Sequence, residues 1–206
     1  MTDLTLATLL SSRICHDLIS PVSAVNNGLE ILADEQDAEM KTMAMNLIRS
    51  SAAAASAKLQ FMRICFGVAG SMAENIPLDD AKDLAGALTK GSPVTLDWRA
   101  GEVMLDKEAV KLLLNFILIG FEALPRGGTL HVGARKEGAT SLMISAEGPK
   151  ARLPETSAEI LKNGAALADI DPKQSSLFLT HEIARSLSAS IHVVVEEERI
   201  EIGATM

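Results

Sequence analysis

The sequence predicts an α + α/β chain in two parts, a long antiparallel helical hairpin followed by an α/β sandwich. Apolar residues recur three and four apart through residues 4–33 and again through 38–68, and after about residue 72 the pattern changes to short alternating elements. Aromatics make up only 3% of the chain, with no Tyr and one Trp, so the core must be built from Leu, Ile, Val, Met and Ala, a bias that favours helices.

In the first helix, residues 4–33, the stripe runs through Leu4, Ala7, Ser11, Ile14, Leu18, Val22, Val25, Leu29 and Leu32, the pattern of a bundle seam. The consecutive steps of four at Ile14, Leu18 and Val22 form a local stutter. Pro21 has no N–H and crowds the carbonyl of Asp17, so a bend is expected there. Asp34-Glu-Gln-Asp37 reads as a turn. The second helix carries two stripes, one through Met45, Ile48, Ala52, Ala55, Leu59 and Met62, the other through Met43, Leu47, Ala54, Phe61 and Ile64. Two stripes need two neighbours and a lone hairpin offers one, which implies that two chains pair into a homodimeric four-helix bundle. The Ser and Ala run from Ser50 to Ala57 either permits close helix approach or reflects simple helix propensity.

Gly67 to Ser71 and Asn75-Ile-Pro77 mark a linker, dividing the chain into a hairpin region, 1–71, and a sandwich region, 77–206. The second region reads as a helix at 79–89, a strand at 94–98, a helix at 106–123, strands at 129–135 and 141–146, helices at 155–163 and 174–188, and a hairpin of strands at 190–195 and 199–202. Such an order suggests one sheet covered by helices on one face.

Composition narrows the function classes. The chain of 206 residues is 48% hydrophobic and 22% charged, ordinary for a soluble globular protein. A net charge of −8 with no Lys/Arg cluster argues against nucleic-acid binding. Cys15 and Cys65 lie fifty residues apart without metal-ligand spacing and read as reduced thiols. There is no basic segment before an apolar run. The most apolar stretch, 110–124, is broken by Lys111, Asn115 and Glu122, so no membrane association and a cytoplasmic location are expected.

His16 is the candidate reactive group. On a helical wheel Ser12, Arg13, Ser20, Ser23 and Asn27 fall within about 60° of it, whereas Ile14, Leu18, Val22, Val25 and Leu29 lie on the far side. Asp17 either orients the imidazole through its other nitrogen, repels a misplaced phosphate, or is an ordinary surface acid. Ser20, one turn on, either contacts a phosphoryl group or is simply small. Arg13, one turn back, is read as pairing with phosphate or with acidic partner residues, with a solvated surface Arg as the alternative. Ile19, at the edge of the polar face, reads as a docking contact rather than core. His131 alternates with Leu130 and Val132 and is expected to face solvent; His181 and His192 are read as structural.

The segment His16-Asp17-Leu-Ile-Ser20-Pro21 resembles the phosphorylation box of the sensor histidine kinases, and the hairpin around it resembles their dimerisation and phosphotransfer domain. The run from Leu112 through Asn115, Ile119, Glu122 and Gly127 to Val132 is similar to the kinase asparagine box and its following strand. The resemblance implies an ATPase-like (Bergerat) sandwich, but a degenerate one. The second, magnesium-binding Asn of the kinase pattern aligns with Ile119, an alkyl group that cannot ligate a hard cation. The acid of the adenine box aligns with Ala146 and its second glycine with Lys150, and the phosphate-cradling glycines align with Ser175 to Thr180. Asn115 survives without its companion and reads as a local cap or bridge.

An intact phospho-acceptor hairpin joined to a degenerate ATPase-like domain resembles the ChpT-type histidine phosphotransferases of alphaproteobacteria. That resemblance implies a relay in which His16, assisted by Asp17, takes a phosphoryl group from the receiver aspartate of a CckA-like hybrid histidine kinase. His16 then passes it to CtrA-like and CpdR-like response regulators, with Arg13, Ile19, Ser20, Ser23 and Asn27 on the receiver-binding face. It implies no cofactor in this chain, the Mg²⁺ lying on the partner's receiver domain. Imidazole suits the task, since it titrates near pH 6.5 and is both nucleophile and leaving group. The competing readings are an ATP-dependent histidine kinase and a non-catalytic receiver-binding scaffold.

Overall fold

The computed structural model describes residues 2–67, 75–101 and 103–206. The expected boundary near residue 72 lies outside the described residues. Helix α1 spans Thr2–Asp34 and helix α2 spans Ala38–Phe66, packed as an antiparallel hairpin. Asp37 starts α2, its carboxylate accepting from the N–H groups of Glu39 and Met40, both at 2.9 Å, which satisfies two of the first-turn donors. At Gly28 the helices nearly touch: a Cβ there would lie 2.6 Å from Ile48 Cγ1, so only glycine permits this approach.

Helix α1 runs on either side of Pro21 without interruption. The missing proline N–H leaves the Asp17 carbonyl without its helical partner, and Lys58 of α2 donates to it through Nζ at 3.4 Å. The break in the ladder thus draws a cation to the residue after His16.

The second region begins with β1 (Asn75–Pro77) and α3 (Leu78–Thr89), then β2 (Val94–Trp98), β3 (Met104–Asp106) and α4 (Lys107–Glu122). There follow β4 (Gly128–Glu137), β5 (Ala139–Glu147), α5 (Glu155–Asn163), a short 3₁₀ turn at Leu167–Asp169, α6 (Ser175–Ser186), β6 (Ser190–Glu196) and β7 (Arg199–Thr205). The main sheet has the order β2-β4-β5-β7-β6, with β2 parallel to β4 and every other pair antiparallel. Strands β1 and β3 form a separate antiparallel pair that the sequence reading did not anticipate; at three residues each they are too short for periodicity to register.

Register makes the sandwich two-layered. Leu130 of β4 lies beside Ala146 of β5, itself beside Ile200 of β7; Val132, Ile144 and Ile202 form the next row, and Ala134, Leu142 and Ala204 the third. All nine are buried under the helices. Gly120 of α4 sits directly on these rows: a Cβ would lie 2.7 Å from Leu130 Cδ1 and 2.9 Å from Ile144 Cδ1. The opposite face is polar. There His131 is not free in solvent as expected: its Nδ1 lies 2.7 Å from Oδ2 of Asp97, its register partner on β2.

The two regions share one core. Phe61 and Cys65 of α2 are fully buried in the same cluster as Leu112, Leu113, Phe116 and Ile117 of α4. Helix α4 also captures the end of α2: Asn115 Nδ2 donates to the Cys65 carbonyl at 3.2 Å and Lys111 Nζ to the Gly67 carbonyl at 3.1 Å, pairing terminal acceptors that α2 cannot satisfy itself. Asn115 is therefore a bridge between the regions. Among the described residues no helix is long and apolar enough to cross a membrane.

Candidate functional site

His16 stands midway along α1 with its side chain 68% exposed. Its Nδ1 lies 3.2 Å from Oδ1 of Asp17. The other Asp17 oxygen, Oδ2, accepts from Arg13 Nε at 2.8 Å across one helical turn. Desolvation works against ionisation of Asp17, but the Arg13 hydrogen bond and charge, with His16 and Lys58, outweigh it and hold the carboxyl below its usual range. An ionised carboxylate can only accept, so the imidazole hydrogen belongs on Nδ1 and the Nε2 lone pair is left free in solvent.

Arg13 departs from its expected place. It is 5% exposed and points away from the open face of α1, into the junction with the second region. Besides Asp17 it donates through Nη1 to the Lys173 carbonyl at 2.8 Å and through Nη2 to Glu122 Oε1 at the end of α4. Burial alone would lower the guanidinium pKa; Glu122, Asp17 and Asp171 more than offset it, so Arg13 stays charged. It cannot meet a docking partner in this state. The helical wheel placed it correctly on the polar side of α1, but the second region covers that part of the side.

Glu122 is pulled two ways. Desolvation pushes its carboxyl up, to about 7, with Asp17 adding to the rise, while Arg13 and Lys58 draw it down. With 40% of its side chain in solvent the desolvation is partial, and the guanidinium in direct contact favours the ionised form, in keeping with the raised Arg13.

The other face residues lie as expected on the open side: Ile19 is 63% exposed, and Ser20, Ser23 and Asn27 are exposed. Ser20 and Pro21 border a groove of about 660 Å³ whose walls include Ala24, Ser51, Ala54 and Ala57 of the hairpin. Lys58 forms part of its wall, and Lys90 and Gly91, just after α3, close the far end. Small side chains on facing helices leave the groove open from Ser20, one turn after His16. Lys58, Lys90 and Glu122 were not singled out from the sequence; only Lys58 had a readable signal, the orphaned carbonyl that Pro21 creates.

A second cleft, lined by Ile119, Glu122, Arg152, Ser157, Lys173 and Ser176, encloses about 200 Å³. It contains two of the positions, Ile119 and Ser176, that align with the kinase nucleotide motifs. Among the described residues no group of His, Cys, Asp or Glu is arranged to hold a metal ion.

Comparison with known proteins is decisive on family. The model for the histidine phosphotransferase C-terminal domain matches residues 78–199, and the protein phosphotransferase ChpT of Brucella abortus (strain 2308) is 42% identical over 202 residues, 96% of this chain and 94% of that one. The chain belongs to the ChpT-type histidine phosphotransferases. A solved bacterial phosphotransferase agrees with a TM-score of 0.85 at 38% identity, covering 98% of this chain and 96% of its own. The histidine kinase domain of the blue-light activated kinase EL346 of Erythrobacter litoralis matches at a TM-score of 0.52 and 12% identity, over 91% and 93% of the two chains, and shows the shared kinase fold. In this ChpT-type chain the hairpin and the ATPase-like sandwich meet at Arg13.

Arg13→Ala is expected to destabilise the chain by about 1–3 kcal/mol in urea denaturation, since it strands Asp17, Glu122 and the Lys173 carbonyl, the two carboxylates being partly relieved by solvent. Wild-type stability in the variant would contradict the buried placement.

Proposed function

We propose that the chain is a dimeric histidine phosphotransferase of the cytoplasm that relays a phosphoryl group from the receiver aspartate of a CckA-like hybrid histidine kinase, through His16, to the receiver aspartates of CtrA-like and CpdR-like response regulators. The observation that carries this reading is the exposed His16 with Nδ1 engaged by Asp17 and Nε2 free. Nε2 attacks the phosphorus of the aspartyl phosphate; an N–P bond forms, the P–O bond to the receiver breaks, and the receiver carboxylate leaves with the electron pair. The imidazole becomes a cation that keeps its Nδ1 hydrogen, and the adjacent Asp17 carboxylate stabilises it. Return transfer reverses each step onto the next aspartate.

Loose, metaphosphate-like transfer needs positive charge at the phosphoryl oxygens. The Mg²⁺ that supplies it is expected to arrive on the receiver domain, held by that partner's residues. Lys58 adds a fixed cation beside the acceptor. The groove bordered by Ser20 and Pro21 gives a receiver room to approach, and exposed Ile19 offers an apolar contact at its edge.

Two further features support parts of the reading. The cleft at Ile119 and Ser176, at about 200 Å³, is smaller than the roughly 300–1,000 Å³ usual for ligand pockets, which favours phosphate arriving from a protein rather than from ATP. The hairpin leaves Val22, Leu29, Met43, Leu47 and Leu59 between 38% and 58% exposed, an apolar surface suited to a second hairpin in a four-helix bundle.

Incubation with a phosphorylated receiver domain is expected to label the wild-type chain and leave His16→Ala unlabelled. The substitution should change stability by no more than about 0.5 kcal/mol, because the side chain is exposed. Labelling from ATP alone would point instead to a kinase, and no labelling from either source to a scaffold. In sedimentation, the wild type is expected at twice the chain mass and Val22→Glu/Leu29→Glu at the single-chain mass; a wild-type monomer would contradict the bundle.

A further inference from the structure

Glu122 breaks a local rule. It is the last residue of α4, where the helix end carries partial negative charge and a cation is preferred, and that last turn holds no basic residue. A misfit of this kind is retained where something outside the helix requires it. What it meets is Arg13, which reaches across from α1 and is fastened on its other side by the Lys173 carbonyl just before α6.

Arg13 is thereby held between the regions, and three of its five N–H groups are committed in different directions. Its Nε, aimed along α1, fixes Asp17 Oδ2, and the planar carboxylate turns Oδ1 toward His16 Nδ1. Without Glu122 and the Lys173 carbonyl, Arg13 would be an ordinary long side chain with many rotamers, and Asp17 would lose the partner that sets its plane.

We propose that Glu122 is a positioning residue for His16: from the end of α4 it anchors Arg13, which orients Asp17, which keeps the imidazole hydrogen on Nδ1 and presents Nε2 to an incoming phosphoryl group. The proposal rests on His16 being the phospho-acceptor, as argued above, and assigns the ATPase-like sandwich a part in the transfer step, that of fixing the acceptor's tautomer and orientation from across the junction. Glu122 touches neither phosphate nor imidazole and acts only through the two side chains between.

The test uses the full chain, ¹⁵N-labelled at histidine, as wild type, Glu122→Ala and Glu122→Gln. Long-range ¹H–¹⁵N spectra report the His16 tautomer, and label uptake from a receiver domain phosphorylated with acetyl phosphate reports transfer. The wild type is expected to show hydrogen on Nδ1. Glu122→Ala, with melting temperature and far-ultraviolet circular dichroism checked alongside, is expected to shift His16 toward the Nε2–H form and to slow uptake by about ten- to a hundredfold. Glu122→Gln, whose side-chain carbonyl still accepts from Arg13, is expected to recover most of both, which a merely structural role for the charge would not produce. If Glu122→Ala does not fold, Glu122→Asp takes its place, with the same direction of change expected. Folded Glu122→Ala, or Glu122→Asp in its place, with the wild-type tautomer and rate overturns the positioning role alone; a wild type that takes up no phosphoryl group, whatever its tautomer, overturns the functional reading beneath it.

Discussion

A guanidinium taken out of water must be paired on every side that faces protein, and Arg13 is where this molecule meets that demand. Its partners come from three places, Asp17 on its own helix, Glu122 at the end of α4 and the Lys173 carbonyl before α6. Satisfying it ties the hairpin to the sandwich at this point, and the same bonds reach His16 through Asp17. Removing one partner from such a set costs more than the set contributes whole, because the charge left behind is uncompensated. The packing of the two regions and the setting of the His16 imidazole meet in one side chain.

The sandwich follows from this constraint as much as from its ancestry. Polar residues of α4 serve attachment to the hairpin. Asn115 and Lys111 cap the end of α2, and Phe61 and Cys65 are packed into the core that α4 lays on the sheet. Gly120 lets α4 approach that sheet closely, and Glu122 follows two residues later at the junction. One helix thus joins core, cap and clamp.

Much of this architecture was legible in the sequence. Long apolar stripes fixed both hairpin helices to within a few residues, because periodicity summed over eight turns leaves little room for other states, and alternation located every strand of the main sheet. Arg13 was misplaced because a helical wheel reports which side of a helix is polar and not what lies against it. Asp97 and His131 illustrate the same gap: their contact needs the parallel register of β2 and β4, which no local pattern contains. The β1–β3 pair was too short to show a period. Lys58 was within reach, since a proline inside a helix always orphans the carbonyl four residues back.

One nitrogen, Nε2 of His16, is the point of transfer proposed for this chain. With ¹⁵N-labelled histidine and a phosphorylated receiver as donor, ³¹P–¹⁵N coupling identifies which residue, and which of its ring nitrogens, carries the phosphoryl group. A single phosphoramidate at Nε2 of His16 is expected, because Asp17 engages Nδ1. Phosphate at Nδ1 of His16, or on any other residue, would contradict it.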